Sequence, residues 1–185
     1  MDDAKWDQLT ATAPTTSFSG RVLRGVAQMS FDTSRRYLFT SGRRNRCNPE
    51  GILCLYMAEG RETALAEYDK YFTDEDDHQP CLLFTGELQA AAILDLGNPA
   101  TVKHFGVTAA DFFSAFRSRQ DTTRLEALGA AVARQRKISA VRFPSKAMHV
   151  KHAVGFNFAI FPDAIRPPDS LSILGNGAAP LERWP

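Results

Sequence analysis

The sequence predicts a single domain of the α+β class. Its 185 residues, 44% of them hydrophobic, suffice for one ordinary globular domain with a buried core. Strand-like and helix-like segments follow one another without the regular strand–helix–strand alternation of a doubly wound sheet. Within this domain we expect an N-terminal arm over residues 1–17, a core of mixed strands with flanking helices over 18–162, and a Pro- and Gly-rich tail over 163–185.

The first quarter of the chain predicts a strand followed by a long loop. The polar arm is an irregular segment or a short helix, and residues 21–27 alternate as a strand does. Between residues 30 and 48 the composition changes abruptly, which is typical of a functional loop rather than a packed element. Five arginines crowd this loop: Arg35, Arg36, Arg43, Arg44 and Arg46.

A strand and a helix are predicted next. The turn signature NPEG at 48–51 leads into a short apolar strand over residues 52–57. Residues 60–72 carry one apolar stripe at helical spacing, which predicts a helix. The acidic run at 74–77 ends this helix in a solvated loop.

The second half of the chain mixes strands and helices. The patterns Thr108-x-x-Asp111 and Thr123-x-x-Glu126 resemble capping boxes, so they begin two helices, over 109–117 and 124–137. Apolar or aromatic runs predict the remaining strands, over 81–88, 91–96, 138–143, 156–161 and 170–174.

Charge and composition exclude several classes of protein. The net charge of +1 argues against a dedicated DNA-binding domain, which needs a surplus of basic side chains. No apolar run approaches the about 20 residues that span a membrane, and the acidic N-terminus is unlike a signal peptide, so we expect a cytoplasmic protein. The three cysteines form no CxxC pair and the four histidines no HExxH pattern, so neither a disulfide framework nor a metal site is predicted.

The catalytic candidates are scattered polar residues, because no glycine-rich phosphate loop and no GxSxG motif occurs. The arginine-rich loop is suited to binding phosphate, or it is a solvated surface loop. Glu67 flanks the apolar stripe of its helix, where it either points into a cleft or lies on the surface. Ser145 follows a strand end, as a hydrogen-bonding or an ordinary loop serine, and Tyr56 is a core aromatic or a pocket side chain.

An ordered set of motifs runs from about residue 21 to about residue 162. Arg24 in the first strand is followed by RCNPEG at 46–51, LYMAE at 55–59 and ETALAE at 62–67, and later by AVRFPS at 140–145 and GFNF at 155–158. This order resembles the RES domain, a family named for an arginine, a glutamate and a serine. The chain departs from the family in having Cys47 where a tryptophan is usual, and in a more basic loop before Arg46.

The resemblance implies a fold, an activity and a partner. RES proteins have a core similar to ADP-ribosyltransferases and are toxins of bacterial toxin–antitoxin pairs. They degrade NAD by hydrolysis or phosphorolysis, or in some members pass ADP-ribose to a protein. A helix-turn-helix antitoxin blocks their active site. The resemblance therefore implies a cytoplasmic enzyme that takes NAD as substrate, without a metal, a membrane or direct binding to nucleic acid.

The same resemblance assigns the site residues. The three naming residues correspond to Arg24, Glu67 and Ser145, which it makes catalytic. Arg24, Arg46, Tyr56 and Asn157 match positions that line the NAD pocket. Arg24 and Arg46 would hold the two phosphates, with help from Arg43 or Arg44.

The expected chemistry is cleavage of the bond between nicotinamide and ribose. This bond breaks through an oxocarbenium-like state, and Glu67 would stabilise the positive charge on the sugar. Ser145 would hydrogen-bond the ribose or the amide, and Tyr56 would stack on the nicotinamide ring. Nicotinamide leaves a cationic ring as a neutral amine, so no general acid is required.

Two alternatives and several details stay open at this stage. The same pocket would serve an ADP-ribosyltransferase with a protein target. A non-enzymatic module is the other alternative, in which the arginine loop, with Tyr37 and Phe39 interleaved, binds RNA or an acidic partner. The sequence leaves open whether water, inorganic phosphate or a protein accepts the ADP-ribosyl group, and whether the chain forms a homodimer.

Overall fold

The computed structural model describes residues 2–33, 42–72, 79–115, 120–175 and 180–185. Within these ranges the strands are β1 (Thr16–Ala27), β2 (Leu55–Ala58), β3 (Cys81–Asp95), β4 (Ala140–Pro144), β5 (Phe156–Ile160), β6 (Ser170–Leu174) and β7 (Glu182–Trp184). The helices are α1 (Asp3–Ala11), α2 (Gln28–Thr33), α3 (Arg61–Asp69), α4 (Pro99–Phe105), α5 (Ala109–Phe113), α6 (Arg124–Gln135) and α7 (Lys146–Val150). A short 3-10 helix spans Pro162–Ala164.

The strands form one mixed sheet in the order β1-β2-β5-β4-β3-β6-β7. An additional pairing of β1 with β3 joins the sheet back on itself, so β1, β2, β5, β4 and β3 form a closed circuit. The pairing of β3 with β4 is parallel, and α4, α5 and α6 lie in the long connection between these two strands. The other recorded strand pairings are antiparallel.

Two buried apolar clusters stabilise this arrangement. The first packs α6 against the sheet and against α1, α4 and α5, through side chains that include Trp6, Leu94, Phe112, Leu125, Leu128 and Phe161. The second lies among the strands and includes Val22, Leu55, Leu88, Ile93, Phe158 and Ile160. Burying one such side chain stabilises the fold by about 1.5–3 kcal/mol, so these clusters hold the strand ends in place around the site.

Gly129 in the middle of α6 allows an unusually close contact with a loop. A Cβ built at this position would lie 1.6 Å from the carbonyl oxygen of Cys47. Any larger residue would push the loop off the helix. Because residue 129 is glycine, the segment that follows Arg46 can pack directly against α6.

Most of the predicted elements are confirmed, with shifted ends. The α+β class is confirmed, and β6 begins and ends where the sequence predicts. Both predicted capping boxes are present: Thr108 donates its N–H to Asp111, and Thr123 its N–H to Glu126, at 2.8 and 2.7 Å.

Several predictions about elements are corrected by the structure. The two strands expected over 81–88 and 91–96 are one strand, β3, because Gln89 continues the antiparallel register opposite Ser19. The helix expected over 109–117 ends at Phe113. Of the two forms expected for the polar arm, the short helix is confirmed, as α1. Residues 30–33, expected to begin the arginine-rich loop, lie in α2, and β7 follows β6, which was expected to be the last strand. The helices α4 and α7 were not predicted. Arg35, Arg36, Tyr37, Phe39 and the acidic run at 74–77 lie outside the described residues.

None of the helices in the described part of the chain is both long and apolar enough to cross a membrane.

Candidate functional site

A cavity of about 890 Å³ opens beside β1, β2 and α3, with the arginine loop and β5 completing its wall. This volume falls within the about 300–1,000 Å³ typical of small-molecule and cofactor pockets. Among the described residues that line it, one carries a carboxylate, Glu67. Five others carry positive charge: Arg24, Arg43, Arg46, Lys70 and Lys146. The cavity is therefore suited to a ligand with several negative charges.

The Glu67 carboxylate is held by donors from three separate segments. Its Oε1 accepts hydrogen bonds from Ser145 Oγ at 2.6 Å and from Asn157 Nδ2 at 2.7 Å. Its Oε2 forms an ion pair with the Nζ of Lys70, which lies three residues further along the chain and directly follows α3. Only 19% of the Glu67 side chain is exposed. The three contacts fix the carboxylate at the wall of the cavity.

Local packing brings Ser145 to Glu67. Ser145 ends the connection from β4 and caps α7, where its Oγ accepts a hydrogen bond from the Met148 N–H at 3.2 Å. Its own N–H donates to the Gly155 carbonyl at 2.8 Å. A Cβ at Gly155 would lie 2.4 Å from Thr63 Oγ1 and 2.6 Å from Met148 Cγ. Glycine at this position therefore lets α7 approach α3 closely enough for the serine hydroxyl to reach the carboxylate.

These contacts determine the charge state of Glu67. Burial alone would raise the pKa of the carboxyl. The charge and hydrogen bond of Lys70, together with the hydrogen bonds from Ser145 and Asn157, lower the pKa by more than burial raises it. The net result is a Glu67 pKa below the usual value for a glutamate. The side chain is therefore a carboxylate at neutral pH.

Two arginines approach the cavity from different elements. Arg24 lies on β1, where burial lowers the pKa of its guanidinium, with the nearby Tyr71 and Cys54 acting in the opposite direction. Arg46 donates to the carbonyl oxygens of Asp111 and Ser114, at 3.2 and 3.3 Å, beside the end of α5. A helix C-terminus favours a cation, so α5 orients this guanidinium toward the cavity.

Tyr56, on β2, anchors the end of the arginine loop through its hydroxyl group. Its hydroxyl donates to Asn48 Oδ1 at 2.8 Å and accepts from the Cys47 N–H at 2.8 Å. The ring lines the cavity and packs edge-on against Phe143, with centroids 6.3 Å apart. The Cys47 side chain is fully buried, and burial raises the pKa of its thiol to about 12. The small thiol at this position thus lies in the core and not in the cavity wall.

Comparison with known proteins identifies the family. A family model described as "RES domain" matches residues 20–178. The chain belongs to the RES domain family. No curated protein matches it significantly. Among solved structures it is similar to a chain of the M. tuberculosis MbcT–MbcA toxin–antitoxin complex, with a TM-score of 0.60 and 18% identity over 88% of this chain and 85% of the other. This likeness, with the mixed sheet and its flanking helices, confirms the predicted α+β fold.

The structure of this RES domain brings most of the predicted site residues to one cavity. Arg24, Arg46, Tyr56, Glu67 and Asn157 line it. Ser145 is 2% exposed and does not line it, since its hydroxyl already donates to Glu67 and accepts from a backbone N–H. The hydroxyl is thus engaged in orienting the carboxylate, rather than being open to ribose or amide.

Of the two arginines expected to help bind phosphate, Arg43 or Arg44, the structure places Arg44 away from the cavity. Its guanidinium pairs with Glu126, whose side chain is 0% exposed, and donates to the Asp121 carbonyl at 2.9 Å. The neighbouring Arg43 does line the cavity. These two consecutive residues point in opposite directions. Arg44 fixes the loop to α6, and Arg43 faces the cavity.

Sequence reasoning did not single out Lys70 or Lys146, which both line the cavity of this RES domain. The signal for Lys70 was present, because residues three apart on a helix lie on the same face and Glu67 precedes it by three. Lys146 directly follows Ser145, so the motif that contains the serine also carried this cation. Among the residues that the structure describes, no three His, Cys, Asp or Glu side chains come together as metal ligands would.

Proposed function

We propose that this RES domain is an NAD-consuming toxin that cleaves the bond between nicotinamide and ribose, by hydrolysis or phosphorolysis. The observation that carries the proposal is the ionised Glu67, held by Ser145 and Asn157 at the wall of a cavity rich in positive charge. A fixed carboxylate suits a reaction whose transition state gains positive charge. The surrounding cations suit a substrate with two phosphates.

NAD fits the distribution of charge in the cavity. Arg24, Arg43 and Arg46 would bind the pyrophosphate, because planar guanidinium groups match phosphate oxygens in pairs. The ribose attached to nicotinamide would then lie beside Glu67. The Tyr56 ring, whose hydroxyl is engaged by the loop, would offer its face to the nicotinamide.

The proposed reaction requires no general acid. The C–N bond to nicotinamide breaks, its electron pair stays on the ring nitrogen, and neutral nicotinamide leaves. The ribose carbon becomes an oxocarbenium-like centre opposite the Glu67 carboxylate. Attack by water gives ADP-ribose and a proton, and attack by phosphate gives ADP-ribose 1″-phosphate. Removing one preorganised group of this kind typically costs about 2.7–4 kcal/mol of barrier, or roughly 10²–10³ in rate.

The proposed partner is a helix-turn-helix antitoxin that covers the cavity. The similar solved structure is itself a toxin–antitoxin complex. In this chain, Tyr71 lines the cavity and is 59% exposed. An exposed aromatic side chain at a pocket wall is the type of residue that anchors protein interfaces. A protein docked there would block access to Glu67.

The test is nicotinamide release from NAD by the purified protein, with and without inorganic phosphate. We expect release by wild type and a loss of roughly 10²-fold or more in Glu67→Gln, which keeps the shape of the side chain but removes its charge. Glu62→Gln, on the exposed side of the same helix, is the matched control and should keep full activity. Release by neither wild type nor control, or equal release by Glu67→Gln, would refute the proposal. Labelled NAD added to a cell lysate distinguishes transfer to a protein, seen as a labelled band, from free products.

A further inference from the structure

Lys70 occupies the one oxygen of Glu67 that the neutral donors leave available. Ser145 and Asn157 both donate to Oε1, whereas the Lys70 ammonium pairs with Oε2. The lysine projects from the C-terminal end of α3, with its Nζ 5.1 Å from the centre of the Tyr71 ring. It lines the same cavity, and 42% of its side chain is exposed. It therefore has room to move, while Glu67 does not.

An ammonium group in contact with Glu67 opposes the chemistry proposed for this site. A carboxylate stabilises a developing positive charge by electrostatic attraction. A second positive charge bound to the same carboxylate oxygen cancels much of that stabilisation. The charge of Lys70 would also repel the cationic nicotinamide ring and the forming oxocarbenium centre. The contact between Lys70 and Glu67 is therefore suited to binding but not to reaction.

We propose that Lys70 is an electrostatic gate on Glu67, which the phosphates of the substrate open by drawing the ammonium group away from Oε2. This inference rests on the proposed function and specifies how the substrate activates the site. Lysine is a point charge on a flexible stem, so it can exchange one anion for another. A ligand without phosphates fills the nicotinamide end of the cavity but leaves the gate closed. The gate makes Lys70 a positioning residue that selects for phosphate-bearing substrates.

Other cations approach Glu67 from different elements of the fold. Arg46 acts on Glu67 at longer range and donates to the carbonyls beside α5. Arg24 approaches from β1, and Lys146 lines the cavity beside the start of α7. Lys70 forms an ion pair with Glu67 itself, at the oxygen that Ser145 and Asn157 leave available.

The first test is independent of turnover. The pKa of Glu67 is measured by NMR with carbon-labelled glutamate carboxyls, and its signal is assigned by its loss in Glu67→Gln. Without ligand, we expect a higher Glu67 pKa in Lys70→Met than in wild type, and a value near wild type in Lys70→Arg. ADP-ribose should then raise the Glu67 pKa more in wild type than in Lys70→Met, because only wild type also loses a neighbouring ammonium group.

The second test measures selectivity. We compare kcat/KM for NAD with kcat/KM for nicotinamide riboside, which has the same scissile bond and no phosphate. The ratio of kcat/KM for NAD to kcat/KM for nicotinamide riboside should fall by roughly tenfold or more in Lys70→Met and recover in Lys70→Arg. Without the lysine, the phosphates of NAD no longer give its transition state an advantage over that of the riboside. Lys151→Met is the matched control. Lys151, at the end of α7, pairs at 3.8 Å with Asp69, the last residue of α3, and it does not line the cavity. Its ratio should equal that of wild type.

The outcomes separate the gate from the function on which it rests. An equal rise of the Glu67 pKa on adding ADP-ribose to wild type and Lys70→Met, or an unchanged selectivity ratio with NAD cleavage intact, would overturn the gate alone. No spectral change with ADP-ribose, together with no cleavage of NAD, would overturn both the gate and the proposed function.

Discussion

The hydrogen bond between Ser145 and Glu67 can be measured through stability, without any substrate. In Ser145→Ala the carboxylate loses its 2.6 Å donor and the Met148 N–H loses its 3.2 Å acceptor. Ser145 is 2% exposed, so water does not readily replace the missing oxygen. A hydrogen bond to a charged group contributes about 1.5–3 kcal/mol. A helix N-cap contributes about 0.5–2 kcal/mol, so we expect a total loss of roughly 2–5 kcal/mol.

A double-mutant cycle separates the two contributions. In the Glu67→Gln background the serine bond becomes neutral, at about 0.5–1.5 kcal/mol, while the N-cap is unchanged. The free energy of unfolding of wild type, both single variants and the double variant is measured by urea denaturation followed by circular dichroism at neutral pH. The coupling energy between positions 145 and 67 should be roughly 1–2 kcal/mol.

Thr123→Ala provides the matched control for this cycle. Thr123 also caps a helix, α6, but its side chain pairs with Glu126 and has no recorded contact with Glu67. It should lower the free energy of unfolding without coupling to Glu67→Gln. A Ser145–Glu67 coupling below about 0.5 kcal/mol, the usual error of additivity, would show that the two groups do not interact as the structure describes.

Three further predictions address the loop, its anchor and the charge of the site. Gly129→Ala should lower the free energy of unfolding by about 1–3 kcal/mol or more despite better helix propensity, because its Cβ meets loop backbone, whereas Gly60→Ala, with no atom within 4 Å, should cost less in the same denaturation assay. Arg44→Met should lower the Tm measured by differential scanning calorimetry, since it leaves the buried Glu126 carboxylate without its guanidinium. Because the folded-state pKa of Glu126 is lowered, its ion pair stabilises the fold above the ordinary glutamate pKa and is lost as pH falls through the folded value; a Tm difference that grew on acidification would contradict this. The pKa of Glu67 is lowered too, and kcat/KM reports the groups of the free enzyme, so kcat/KM for nicotinamide release should stay level from neutral pH down to the usual glutamate range and fall only below it. A decline of kcat/KM centred at about pH 6–7 would be inconsistent with a Glu67 carboxylate.

The sequence was most informative where a local pattern decides the structure. The capping boxes at Thr108 and Thr123 were predicted correctly, because each depends on side chains three residues apart. The division of β3 into two strands was wrong, because the exposed Gln89 resembles a break when only neighbours in sequence are considered. Its pairing with Ser19 of β1, which a single sequence does not display, keeps the strand continuous.

The site residues were predicted by resemblance, and their contacts were not. Helical periodicity placed Glu67 at the edge of an apolar stripe, which favoured a surface position over one in a cleft. Ser145 is 78 residues away in sequence and Asn157 is 90, so no spacing rule connects them to the glutamate. The directions of Arg43 and Arg44 follow no periodic pattern, because the loop has no regular structure. The buried Glu126 draws the Arg44 guanidinium away from the cavity, and Arg43 lines the cavity.

The distance along the chain between Glu67 and its two neutral donors has a consequence for biosynthesis. A polypeptide emerging from the ribosome exposes Arg24 and Glu67 long before Ser145 and Asn157 are translated. Until β5 has joined β2 and β4, the acid has no complete set of donors, and such non-local pairings form slowly compared with helices. Translation products that stop before β5 would thus lack the assembled carboxylate site, and under the proposed function they would not cleave NAD.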